Sequence, residues 1–99
     1  MTANEKSLKH NGERPVAIVA GGSGGIGSAI CKRLIADGYH VVSVSRGQTP
    51  TCIDFKSDFI YHLNYDVTSE NSCQLLVKSV IERLGRIDSM IYAVITLII

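Results

Sequence analysis

The segment Val16-Ala17-Ile18-Val19-Ala20-Gly21-Gly22-Ser23-Gly24-Gly25-Ile26-Gly27 decides how the rest of the chain is read. Its first five residues are apolar without interruption, the pattern of a strand buried on both faces. Five glycines then fall within seven residues, and an amphipathic helical pattern begins. Glycine carries the largest conformational-entropy cost of any residue, and a tight turn needs only one or two. Five at the start of a helix point to backbone N–H groups gathered around an anion, and a nucleotide pyrophosphate fits that place. The plainer alternative is a structural turn that holds no ligand.

Working outward, a helix is expected from about Gly25 to Asp37. Ile26, Ala29, Ile30 and Leu34 recur at helical spacing, and Lys32, Arg33 and Asp37 take the other side. Gly38 suits a left-handed C-cap. Tyr39 to Ser45 reads as a second strand, residues 47–58 as a loop, and Phe59 to Tyr65 as a third strand. Thr68 or Ser69 can cap a second helix over 69–84, whose apolar face is Cys73, Leu76, Val77, Val80, Ile81 and Leu84. Gly85 closes that helix, and Asp88 leads into a fourth strand over about 89–97. Strands alternating with helices imply right-handed crossovers and a parallel sheet. The expected class is therefore α/β: a partial Rossmann (doubly wound) fold, its four strands in the order 3-2-1-4 with helices on both faces. The second crossover, about 13 residues with no clear helical pattern, is expected to lack a full helix.

Composition narrows the class further. With 99 residues the chain makes one small domain, expected over 15–99 after a disordered polar arm at 1–14. The net charge is +1, with ten Lys and Arg scattered among nine acids, so no basic face marks a nucleic-acid binder. Cys31, Cys52 and Cys73 are an odd set without C-x-x-C spacing, which argues against disulfides and zinc. Met1 to Arg14 lacks the apolar core of a signal peptide. The apolar stretch Met90 to Ile99 is shorter than the roughly 20 residues that span a bilayer. No membrane association is expected, and the cytoplasm is the expected location. His10, His40 and His62 have no metal-ligand or triad partner at suggestive spacing and read as structural or solvent-facing.

A lone G-x-G-x-x-G is weak evidence, but here a strand precedes it and a helix follows. Two registers are open. Gly22-x-Gly24-x-x-Gly27 fits the general dinucleotide fingerprint, and Gly21-x-x-x-Gly25-x-Gly27 fits the wider spacing of the short-chain dehydrogenase/reductase family. Ala20 to Gly27 resembles that family's T-G-x-x-x-G-I-G motif. Asp66-Val67 resembles its adenine-contacting pair, and Leu84-Gly85-Arg86-Ile87-Asp88 its segment before strand four. The resemblance covers nearly all of residues 15–95. It implies that Gly21, Ser23, Gly24, Gly25, Ile26 and Gly27 surround the cofactor. It also implies that Asp66 accepts from the adenine amino group, Val67 lines the adenine slot and Ala93 lies beside the cofactor. For Asp66 a solvated strand-end carboxylate, or a cap for the next helix, stays open.

Cofactor choice rests on the end of strand two. An acid there binds the ribose 2′-OH and selects NAD, whereas an arginine accommodates a 2′-phosphate. This chain has Ser45-Arg46-Gly47 and no acid before Asp54. Arg46 can form charge-assisted bonds to a phosphate and Ser45 can add a neutral one, so NADP is favoured over NAD. An exposed loop charge is the plainer alternative for Arg46.

Three departures from the family pattern stand out. Ala20 occupies the place of a Thr whose hydroxyl ties the glycine loop to the segment after strand four. Tyr92-Ala93-Val94-Ile95 stands where the family has N-N-A-G, and a β-branched residue at the glycine place would crowd the cofactor. The family's Ser and Tyr-x-x-x-Lys have no counterpart. Four residues after Tyr39, Tyr61, Tyr65 and Tyr92 come Ser43, Tyr65, Ser69 and Thr96. Catalytic residues are therefore assigned to none. The expected function is the NADP(H)-binding N-terminal part of a short-chain reductase, truncated and inactive alone. The alternative is a non-catalytic nucleotide-binding or interaction module. The uncharged, β-branched strand at 89–99 is expected to favour self-association as an unpaired edge.

Overall fold

Strand β1, Val16–Ala20, is fully buried along its whole length, with every residue at 0% exposure. Around it a computed structural model describes residues 14–21, 25–46 and 57–93. Helix α1 spans Gly25–Ala36, strand β2 His40–Ser45, strand β3 Ile60–Asn64, helix α2 Glu70–Leu84 and strand β4 Ser89–Tyr92. The four strands are parallel and ordered β3-β2-β1-β4, as the alternating pattern implies. This is the Rossmann-type α/β arrangement. Residues 1–13 of the expected arm, the segment 47–56 and the expected continuation of the fourth strand past Ala93 lie outside the described residues, whereas Arg14 is described and bonded.

The strand pleat sorts side chains into two cores. Val16 and Ile18 of β1 join Val42 and Val44 of β2 under Leu76, Val80 and Leu84 of α2. On the opposite face Val19, Val41 and Ile60 pack with Cys31 of α1, and Ile30, Leu34 and Ile35 lie at the margin. One helix thus covers each face, as both faces of a parallel sheet require.

The helix termini follow local chemistry. The Ser69 hydroxyl accepts from the Ser72 N–H at the start of α2, a standard N-cap. Gly85 closes α2 at φ 83°, and Gly38 ends the turn after α1 at φ 95°. Both lie in the left-handed region that a Cβ disfavours.

The helical faces differ from the sequence expectation. Ile26 is 56% exposed and Ala29 is exposed; the residues of α1 that face the sheet include Gly27, Ser28 and Cys31. Small side chains there let the helix axis approach the strands closely, and close approach decides which part of a broad apolar arc is buried. On α2, Val77 and Ile81 are likewise exposed while Leu76, Val80 and Leu84 are covered. A four-stranded sheet contacts only a narrow stripe of each helix.

Two side chains pin the amino edge of the sheet. The Arg14 guanidinium donates to the carbonyls of Ile35 and Tyr39, at 3.1 and 2.9 Å, and lies 3.6 Å over the Phe59 ring. It thereby joins the end of α1 to the starts of β2 and β3. Asp88 accepts the Val16 N–H at 2.7 Å and forms a two-bond fork with Arg86 at 2.8 and 2.7 Å. The Asp88 N–H returns a bond to the Val16 carbonyl, which sets the register of β4.

The Arg86 bonds, with help from the Val16 N–H, hold the Asp88 carboxyl below the usual carboxylate range. A depressed folded-state value contributes stability that is complete above the unfolded-chain value, near pH 4, and is lost as pH falls through the folded value. Asp88→Asn should therefore lower the melting temperature at pH 7. The gap between variant and parent should close as the pH is taken well below about 4, where protonation removes the same charge. Thermal melts by circular dichroism across that range test this.

Candidate functional site

All four strands run the same way, so their carboxyl ends share one edge, where open α/β sheets bind ligands. That edge gathers most of the residues singled out in the sequence. Gly21 follows β1, Ser45 and Arg46 end β2, Asp66 and Val67 follow β3, and Ala93 follows β4. Backbone bonds tie these ends together. The Gly21 N–H donates to Val44 at 2.8 Å, the Ala93 N–H to Ala20 at 2.7 Å and the Tyr65 N–H to Ser45 at 3.1 Å.

Gly21 has φ 87°, so the chain leaves β1 through a conformation that an L side chain strains to adopt. Gly25 opens α1, and a Cβ built there meets nothing within 4 Å. Ile26 is exposed on the first turn, and Gly27 is buried against the sheet, where its lack of a side chain allows close helix–strand packing. Ser23 and Gly24 lie outside the described residues.

Across the mouth, Arg46 and Asp66 form an ion pair at 3.4 Å, with side-chain exposures of 74% and 34%. Asp66 divides its two oxygens. Oδ1 accepts from the backbone N–H and hydroxyl of Thr68, and Oδ2 faces Arg46. The Thr68 bonds are the main reason the Asp66 carboxyl is held low, and Arg46 adds to them. Asp66 therefore both builds the turn into α2 and presents an anionic oxygen at the mouth. Solvent screens an exposed pair of this length, so a ligand can exchange either partner at little cost. Val67 packs half-buried against the α2-side core.

Ser45 is held by His62, a residue the reading of the sequence did not place at the site. Its Oγ lies 3.1 Å from His62 Nε2, which is also 3.1 Å from Asn64 Oδ1. His62 Nδ1 reaches the Ser43 hydroxyl at 3.1 Å. The signal available beforehand was the alternation of polar residues at 43 and 45 and at 62 and 64. These positions pair in register as Ser43 with His62 and Ser45 with Asn64. Among the described residues no group of three His, Cys, Asp or Glu could hold a metal.

Residues 15–95, which include the glycines and all four strands, match the short chain dehydrogenase family. The chain belongs to that family. It is 37% identical over 84 residues to a protein designated ketoacyl reductase 2 of the granaticin polyketide synthase in Streptomyces violaceoruber, covering 80% of this chain and 32% of that protein. It is 31% identical over 85 residues to sorbitol-6-phosphate 2-dehydrogenase of Escherichia coli, covering 79% of this chain and 33% of that enzyme. Among solved structures, a short chain dehydrogenase from Leptospira borgpetersenii with bound NAD+ superposes with a TM-score of 0.72 at 22% identity, over 98% of this chain and 37% of that one. That likeness is one of fold. The chain spans a third or less of the length of the curated relatives it matches. The family binds nicotinamide cofactors, and no described helix of this member is long and apolar enough to cross a membrane.

The open space at Gly25 separates a ligand role from a packing role. Gly25→Ala should fold at least as well, because alanine favours a helix by about 0.5–1 kcal/mol over glycine. A ligand role predicts that the added methyl group weakens dinucleotide binding about tenfold or more (1.4 kcal/mol per tenfold), and a packing role predicts no such loss. A thermal melt and a fluorescence titration with NADPH read the two effects separately.

Proposed function

We propose that this chain is the NADP(H)-binding part of a short-chain reductase. The observation that carries the reading is Arg46, an exposed guanidinium at the end of β2 beside the Asp66 carboxylate, with no acid at the strand end itself. A carboxylate there would favour the ribose 2′-OH of NAD, whereas a guanidinium suits a 2′-phosphate. In this reading Arg46 and Ser45 hold the 2′-phosphate, and Asp66 and Val67 border the adenine. Gly21, Ser23, Gly24, Gly25, Ile26 and Gly27 surround the pyrophosphate, and Ala93 lies beside the nicotinamide-side ribose. The residues fit such a group: Gly25 leaves room for it and Gly21 makes the turn beneath it.

The bound cofactor would supply hydride to a carbonyl or take it from an alcohol. The described residues bind and orient, and no proton-donating role is assigned to any of them. We assign the chain to the cytoplasm, a compartment in which thiols such as those of Cys31 and Cys73 stay reduced. We further propose self-association through the β4 edge, where Met90 and Tyr92 are 50% and 59% exposed.

Arg46→Ala tests the cofactor reading. The variant should lose NADPH affinity about tenfold or more, the scale of a charge-assisted hydrogen bond, while NADH affinity changes little. An unchanged NADPH-to-NADH ratio would remove Arg46 as the selector. For the edge, sedimentation velocity should show species larger than the monomer, and Tyr92→Lys should shift them toward monomer.

A further inference from the structure

We infer that His62 is a specificity-determining positioning residue, which acts through Ser45 on the 2′-phosphate end of the cofactor site. The inference rests on the NADP(H) reading above and deepens it.

Three observations carry it. First, Ser43 is fully buried in a strand whose neighbours are Val41, Val42 and Val44, so its hydroxyl needs a partner. His62 Nδ1 supplies one, which anchors the inner edge of the ring. Second, the outer edge of the ring spans the ends of two strands. Nε2 stands 3.1 Å from both Ser45 Oγ on β2 and Asn64 Oδ1 on β3. Third, these contacts lie at the carboxyl edge of the sheet, one residue from Arg46.

The hydrogen-bond roles follow from the acceptor character of Asn64 Oδ1. With that oxygen facing the ring, Nε2 carries the proton and Nδ1 accepts from the Ser43 hydroxyl. Burial favours this neutral ring by lowering the His62 pKa, against the smaller opposing pull of Asn64. The imidazole is thereby fixed from a buried point, and it restricts the rotamer of Ser45. A serine hydroxyl otherwise samples three staggered positions, and only one can face a given phosphate oxygen. Fixing it before the ligand arrives reduces the ordering cost of binding. Because Ser45 is placed toward the 2′-phosphate, the benefit falls on NADPH and not on NADH.

The test uses the full 99-residue chain, with Kd values for NADPH and NADH measured by fluorescence titration. His62→Ala should weaken NADPH about fivefold, the scale of one neutral hydrogen bond, and leave NADH within about twofold. In a Ser45→Ala background the same substitution should have no further effect on the ratio. His62→Gln, which carries an amide to about the Nε2 position, should restore part of the NADPH preference. It also serves as the test variant if circular dichroism shows the alanine variant unfolded. Equal losses for both cofactors, or an unchanged His62→Ala effect without the Ser45 hydroxyl, would assign His62 a structural role only and overturn the inference. Arg46→Ala separates the two levels. If it alters the cofactor ratio and His62→Ala does not, the NADP(H) reading stands and the His62 inference falls. Binding of neither cofactor overturns both.

Discussion

Everything in this fold depends on burying one five-residue strand on both sides. β1 has no exposed residue, so each of its faces must be matched by a helix and each of its edges by a strand. Those four demands produce the α1 and α2 layers and the β2 and β4 neighbours. They also fix the functional geometry. A parallel arrangement places every strand's carboxyl end on one side, and the chain must leave β1 there. The turn at Gly21 is thus a consequence of the same burial that holds the sheet together.

The two edges of the sheet divide the work. At the amino edge, Arg14 and Asp88 make directional bonds to backbone groups of elements distant in sequence, and their task is register. At the carboxyl edge, the polar side chains are more loosely committed. Arg46 and Asp66 form a long, exposed pair, and Ser45 shares a histidine with Asn64. Strong contacts sit where the structure must not move, and exchangeable ones sit where a ligand is expected. The proposed cofactor contacts are drawn from this second set.

Much of this was legible in the residues. The uninterrupted apolar run, the glycine cluster and the alternation of periods gave the strand order, and Ser69, Gly38 and Gly85 marked helix termini through local chemistry. The helix faces were less legible. Ile26 and Ala29 of α1 and Val77 and Ile81 of α2 have helical spacing, but periodicity gives the direction of an apolar arc and not the width of the sheet that covers it. The site was legible where a residue acts through its place at a strand end, as with Arg46 and Asp66. It was not legible for His62. Its partners depend on a parallel register between two strands, and no local pattern fixes that register.

Ser43 places two aims in opposition. Between Val42 and Val44, a valine at this position would fill the core without needing a hydrogen-bond partner, and packing alone favours it. It would also strip His62 of its inner anchor. Selection or engineering for thermal tolerance alone would therefore tend to erase the polar row on β2 and β3. Positions that break the local packing rule are where stability and ligand handling compete. In this sheet that competition falls on a single oxygen atom.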